Sequence, residues 1–328
     1  MRLNKLSLFI AAASVAGMGL TSTAQAETVI RIAYGNQPGE PVDVAVNQWA
    51  EWVSEASNGE LDLRPFPASQ LGSETEVMEQ ARFGSAIIAI TAYSNFLDSV
   101  PDLAVLDAPY LGEDFESKLK VFDSEWFADQ LEQVHSSGYH IVIPNTVYGV
   151  RHLLSRNPVS HPDDLNGVRI RVQNSQMYVE AIRAMGATPT PMSLGDVYPA
   201  LAQGMVDGVE NPAAVLHGGK FHEVVKHLNL TAHMHTVAPF VTGLAFWEQL
   251  SEEHQQILTE TGQQMAEYLG ELVAEESEEA RERLRSEGVE VHEVDTQPFR
   301  ERAAEQIPTA FPQWSDGLYE TVYEIING

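Results

Sequence analysis

Between residues 28 and 90 two hydrophobic periods alternate, and that alternation limits the fold more than any other feature of the chain. In "TVIRIAYGN", Val29, Arg31 and Ala33 alternate with Ile30, Ile32 and Tyr34, the two-residue period of a strand, and a Gly-Asn-Gln-Pro-Gly loop follows. Val42, Ala45, Val46, Trp49, Trp52 and Val53 then recur at helical spacing, predicting a helix from about Pro41 to Ser57 that stops at Asn58-Gly59. "LDLRPFP" reads as a second strand. Ser73 and Glu76 form a capping box for a short helix stopped by Gly84, and "AIIAIT" has the unbroken apolar run of a strand buried on both faces. A β-α-β-α-β order of this kind buries its faces in a largely parallel sheet covered by helices on both sides.

The rhythm returns downstream. "GYHIVIPNTVYGVRHLLS", "GVRIRVQ" and "PFVTGLAFW" (239–247) are strand-like, and "NSQMYVEAIRAMGA" predicts a helix capped by Asn174 or Ser175 and ended by Gly186. Ser193 with Asp196 starts another short helix before Gly204, where Pro199 predicts a kink or an early stop. From Ser251 to about Ser286 apolar contacts at helical spacing, acids at the start, arginines near the end and Gly288 beyond predict one dipole-matched helix. Unbroken by Gly262 or Gly270, it reaches about 50 Å and bridges two lobes.

Composition sets the setting. The 328 residues suffice for two domains or one large one. Arg2 and Lys5, an apolar stretch over about Leu6 to Leu20 and the small-x-small "AQA" of Ala24 to Ala26 make residues 1–26 a secretory signal peptide, too short in its apolar run for a membrane anchor. Without Arg2 and Lys5, 17 basic residues face 47 acidic ones, a formal charge of −30. Nucleic acid is thereby excluded as a partner. The acid excess fits a protein kept soluble in concentrated salt, the setting of a salt-adapted bacterium. An exported chain of this size with no cysteine folds without disulfides.

An enzyme would need a nucleophile, a metal site or a cofactor cradle. The sequence has no cysteine, no Gly-x-Ser-x-Gly, no Gly-x-Gly-x-x-Gly after a strand and no Walker loop. "HLNLTAHMH" offers His227, His233 and His235, but no acid at a typical ligand spacing, so no metal and no cofactor is assigned. Asp163-Asp164 follows a proline at a helix start, where acids serve the dipole.

"GVRIRVQNS" points elsewhere. Alternation sets Val168, Ile170 and Val172 on one face and Arg169, Arg171 and Gln173 on the other, and Asn174-Ser175 turns into a helix. Arg171 thus stands near the carboxyl end of a strand, where open α/β sheets bind ligands, and a guanidinium there grips a carboxylate with two parallel hydrogen bonds. The competing reading is a salt bridge in a Glu-rich protein.

Five ordered segments, "FPASQLGSETEVMEQARFGS" (66–85), "DAPYL" (107–111), "DDLNGVRIRVQNS" (163–175), "MGATPTPMSLGDVYPALAQGMVDGVENP" (185–212) and "KFHEVVKHLNLTAH" (220–233), resemble the DctP-type solute-binding proteins of tripartite ATP-independent periplasmic (TRAP) transporters over essentially the whole mature chain. The family usually has Gln where Val209 stands and rarely a proline at 199. The resemblance implies a two-lobed α/β binding protein of type II-like architecture, each lobe a mixed, mostly parallel sheet. The first lobe would comprise 27–148 plus 237–276 and the second 149–236 plus 277–328. It implies that Arg171 holds a ligand carboxylate, that Asn211 bonds the same group and that Arg151 is a second basic contact beside Asn174. Glu74, Asn36 and His233 would suit ligand hydroxyls, as would Gln70.

The expected protein is a periplasmic receptor of a Gram-negative bacterium that closes over a small organic acid and delivers it to the TRAP membrane subunits. One clamp plus polar groups, with Glu74 set against a second carboxylate, favours a hexuronate such as glucuronate or galacturonate. A keto acid, a dicarboxylate or an ectoine-like osmolyte are alternatives within the class. An exported hydrolase and a pure scaffold are the alternatives outside it.

Overall fold

A computed structural model describes residues 27–328, so the expected signal peptide lies outside the described residues. Among the described residues nine strands form one sheet: β1 (Thr28–Ala33), β2 (Leu61–Phe66), β3 (Ile87–Ile90), β4 (Tyr139–Ser155), β5 (Arg169–Val172), β6 (Thr188–Pro191), β7 (Gly208–Pro212), β8 (His227–Gly243) and β9 (Glu290–Glu293). Their order is β2-β1-β3-β8-β4-β7-β5-β6, with β9 pairing β8 off this path. Strands β2, β1 and β3 are mutually parallel, as are β7, β5 and β6, and the antiparallel pair β4 and β8 joins the two sets. The expected mixed, mostly parallel α/β fold is what the chain adopts.

Each predicted early element forms. The helix Pro41–Ala56 buries Val42, Ala45, Val46, Trp49 and Val53, the stripe its spacing marked apart from Trp52, which is half-buried. Ser73 and Glu76 close the capping box of helix Glu74–Arg82, and β3 is buried at all four positions. Three local expectations change. Ser175 takes the N-cap position of helix Gln176–Ala184 without a capping bond, because its Oγ lies 2.7 Å from Ser94 Oγ instead. "PFVTGLAFW" divides at Gly243, where an added Cβ would meet the Ala81 carbonyl oxygen, and Leu244–Trp247 continues as a short helix. Pro199 is accommodated in the first turn of helix Val197–Ala202, where its missing N–H costs nothing.

Strands β4 and β8 are 17 residues each, and β4 runs beside the 35-residue helix Glu252–Ser286, about 52 Å at 1.5 Å per residue. Neither Gly262 nor Gly270 breaks that helix. Its register with the strands is fixed by close packing: a Cβ on Gly262 would fall 2.7 Å from Ile143 Cγ1. The β4–β8 ladder is interrupted between Val147 and Gly149, where Gly149 (φ +136°) lies against Pro212. At the carboxyl terminus, helix Gln297–Ala310 packs on helix Gln176–Ala184, whereas helix Leu318–Asn327 packs on residues 101–123. Among the described residues no helix is long and apolar enough to cross a membrane.

Candidate functional site

The carboxyl ends of the two parallel strand sets face one cleft. Asn36 follows β1, Glu74 opens the helix after β2, Thr91, Ala92 and Asn95 follow β3, Gln173 and Asn174 follow β5, and Met192 follows β6; all line this cleft. Counted to its open mouth the cleft holds about 1010 Å³ of empty space. This is the site that open α/β topology provides, loops at strand ends held by a rigid sheet.

Arg171 and Arg151 both line it, and both are only 2% exposed. Their surroundings differ. Arg151 lies in a fork on Glu210, with Nε 2.5 Å from Oε2 and Nη2 2.8 Å from Oε1, and its guanidinium sits 5.0 Å from the centroid of the Tyr178 ring. Burial alone would raise the Glu210 carboxyl, but the Arg151 charge and the bonds from His233 and Arg151 hold it down at about 2. Arg171 donates from Nε and Nη2 to the Met192 carbonyl, at 3.0 and 2.7 Å, and makes no ion pair among the described residues. Burial draws its pKa down to about 10, Glu210 offsetting part of the cost. A guanidinium has five donors, and one neutral carbonyl leaves most of them without a partner and the charge only partly offset by Glu210 at a distance. Arg169, two residues earlier, takes the salt-bridge role in full: it is exposed and forks onto Asp207 at 2.8 and 2.9 Å.

Around Arg171 the cleft wall carries buried polar atoms with no partner among the described residues: Asn211 Oδ1, Gln173 Nε2 and Thr236 Oγ1. Buried polar groups are almost always satisfied, so three orphans on lining residues make this cleft a candidate ligand surface. Glu74 stands opposite. Its Oε1 accepts from Thr91 Oγ1 (2.6 Å), Asn95 Nδ2 (2.7 Å) and the Ala92 amide (3.0 Å), which orients the carboxylate, and burial pushes its pKa up against those bonds. Asn36 donates through Nδ2 to Glu40 Oε2 (2.7 Å) and Tyr148 OH (3.1 Å). Asn174 is exposed at the rim.

Of the residues singled out from sequence, the structure therefore brings Arg171, Arg151, Asn211, Asn174, Glu74 and Asn36 to one cleft. It does not bring His233 there. That ring is fully buried behind the wall, with Nδ1 2.9 Å from Thr231 Oγ1 and Nε2 3.3 Å from Glu210 Oε2, so it supports the Arg151–Glu210 pair. Gln70 is exposed and outside the lining. Gln173, Thr236, Tyr148 and Glu210 were not singled out as site residues. Gln173 had a legible signal, since it shares the alternation of Arg169 and Arg171.

The chain is similar to known proteins over most of its length. The bacterial extracellular solute-binding protein family 7, DctP, matches residues 32–313. The 2,3-diketo-L-gulonate-binding periplasmic protein of Escherichia coli is 31% identical over 318 residues, 95% of this chain and 96% of that protein. A TRAP periplasmic solute-binding protein of Actinobacillus succinogenes, solved with bound L-galactonate, is 49% identical with a TM-score of 0.90, covering 91% of this chain and 99% of its own. One from Ochrobacterium anthropi, with bound L-fuconate, is 41% identical with a TM-score of 0.90, covering 92% and 100%. Membership of a solute-binding family, matched over most of the chain, sets aside the hydrolase reading. The chain belongs to the DctP family of TRAP periplasmic solute-binding proteins, non-enzymatic receptors for small acids.

Proposed function

We propose that this receptor binds a sugar acid with its carboxylate on Arg171 and Asn211, and presents it to the membrane subunits of its transporter. The guanidinium of Arg171, buried with no ion-pair partner among the described residues, carries this reading. A carboxylate about 4 Å away gains roughly 4 kcal/mol at an effective dielectric of 20. Asn211 Nδ2 donates to the carboxylate, and Asn211 Oδ1, Gln173, Thr236 and Glu74 then pair with hydroxyls along the chain of the ligand. The six-carbon aldonates come ahead of the hexuronates expected from sequence, because the similar proteins solved at 49% and 41% identity hold L-galactonate and L-fuconate. Arg151, Asn174 and Asn36 shape the pocket around that chain, with Arg151 committed to Glu210 rather than to the ligand.

The lobes would divide near residues 148, 236 and 276. Gly149, Thr236, Pro212 and Val273 meet at one place, where the β4–β8 ladder is interrupted, which suits a hinge. Helix Leu318–Asn327 would move with residues 101–123, on which it packs. Residues 1–26 would direct export to the periplasm, and the acid excess would reflect growth in salt.

Thermal shift against L-galactonate, L-fuconate, D-galacturonate, D-glucuronate, 2,3-diketo-L-gulonate, ectoine and C4 dicarboxylates tests the reading. Saturation at 100 times Kd stabilises by about 2.7 kcal/mol. Aldonates giving the largest shift is the expected result. A larger shift with the uronates restores the hexuronate reading, and no shift with any acid refutes the site.

A further inference from the structure

We propose that His227, Glu290 and His292 form a surface site for a divalent first-row transition cation, Zn²⁺ being the probe, distinct from the acid-binding cleft. In the parallel β8–β9 pair His227 stands opposite Glu290, and Asn229 opposite His292. Residues two apart on a strand share a face, so Glu290 and His292 project together beside His227. The three ligand atoms converge: His227 Nδ1 lies 3.0 Å from His292 Nε2, and Glu290 Oε2 lies 3.7 Å from the first and 3.9 Å from the second. A tetrahedral ion with bonds of about 2.0–2.2 Å sets its ligand atoms roughly 3.3–3.6 Å apart, within a rotamer adjustment of these separations.

The sequence hid this site for a simple reason. His227 has no acid at ligand spacing along the chain, and its partners arrive from β9, more than 60 residues later, after the long helix returns. The side chains are 19%, 71% and 29% exposed, which leaves a fourth position open to water and makes the ion exchangeable rather than locked in. A strongly acidic protein concentrates cations at its surface, which favours occupancy. Bound metal would fasten the four-residue β9, and with it the exit of the long helix, to β8. No residue of the group lines the cleft.

A second group, His217, His222 and Glu287, is less suited. Its ligand atoms also lie within 4.8 Å of one another, but the Glu287 oxygens already bond one ring each, at 3.2 and 2.5 Å, and the rings stack nearly parallel, an arrangement of two carboxylate–imidazole pairs rather than three groups turned to one centre.

Isothermal titration of the chelator-treated protein, carrying no histidine tag, with ZnCl2 decides the matter. One site is expected, weakened at least tenfold in both His292→Ala and Glu290→Gln and unchanged in His222→Ala, with the sugar-acid thermal shift unaltered in every variant. Zinc should raise the melting temperature of the wild type and not of His292→Ala. No binding, binding that survives both His292→Ala and Glu290→Gln, or binding lost in His222→Ala overturns the proposal.

Discussion

Arg151 and Arg171 are equally buried, but removing each has opposite consequences for the empty protein. Arg151 is one half of a buried, forked ion pair, and truncating it strands Glu210 inside the protein. Breaking such a pair costs about 3–5 kcal/mol. Arg171 has no carboxylate to strand, and replacing it removes a buried charge held by one carbonyl. Arg171→Met should therefore leave the melting temperature of the free protein unchanged or higher while weakening sugar-acid binding on the order of 30-fold or more, as expected for losing a desolvated charge contact of at least about 2 kcal/mol. Arg151→Met should lower the melting temperature by several degrees. A paired calorimetric melt and binding titration separates the two, and equal destabilisation by both would contradict the asymmetry.

Glu40 gives a pH test at the same scale. Burial pushes its carboxyl up to about 8, the bonds from Asn36 and Gln37 only partly countering, with Asp43 adding repulsion. A carboxyl raised above its unfolded value costs nothing below about pH 4.5, and its stabilising contribution is lost as pH rises towards 8. Glu40→Gln should thus raise the melting temperature more at pH 8.5 than at pH 5, and a pH-independent change would refute the cause. None of this was legible in the chain. Among 47 acidic residues, sequence does not distinguish the buried Glu40 and Glu210 from solvated ones, because burial is decided by segments far apart, here β4 against β7 for Glu210. Arg171 was legible, because strand alternation and the turn that follows are local.

At the scale of elements, the long helix shows where local reading ends. Its existence, caps and extent follow from periodicity and charge placement, but its two glycines look alike in sequence and differ in the structure. Gly262 is the contact at which the helix meets Ile143 and Trp49, and a Cβ there would be 2.7 Å from Ile143 Cγ1. Nothing lies within 4 Å of a Cβ on Gly270. Gly→Ala gains about 0.8–1 kcal/mol of helix propensity at either position. At Gly262 overpacking of about 1–3 kcal/mol outweighs that gain. Gly270→Ala should then shift the urea midpoint upwards and Gly262→Ala downwards. The same sign for both would mean that the helix is not pressed against β4 at Gly262. The division of "PFVTGLAFW" into strand and helix has the same origin, since only the packed Ala81 carbonyl reveals why the chain turns at Gly243.

For the whole molecule the question is how a chain with a formal charge of −28 captures an anion. Two electrostatic effects act at different ranges. The surface acids set a long-range field that repels an approaching carboxylate, and added salt removes it as the Debye length contracts from about 10 Å at 0.1 M to about 3 Å at 1 M. The proposed contact with Arg171 would be made inside the cleft, where the guanidinium is 2% exposed and salt reaches it far less. Association of a sugar acid, followed by stopped-flow tryptophan fluorescence, should therefore speed up as NaCl rises from 0.05 to 1 M, while dissociation changes little. Affinity should hold or improve with salt, the reverse of a site that draws its ligand by a basic surface. The same screening should relieve self-repulsion and raise the melting temperature of the empty protein. An association rate that falls steeply with salt would mean that positive potential at the cleft mouth extends into solvent and outweighs the acidic exterior, and that capture is steered from a distance rather than decided at the guanidinium.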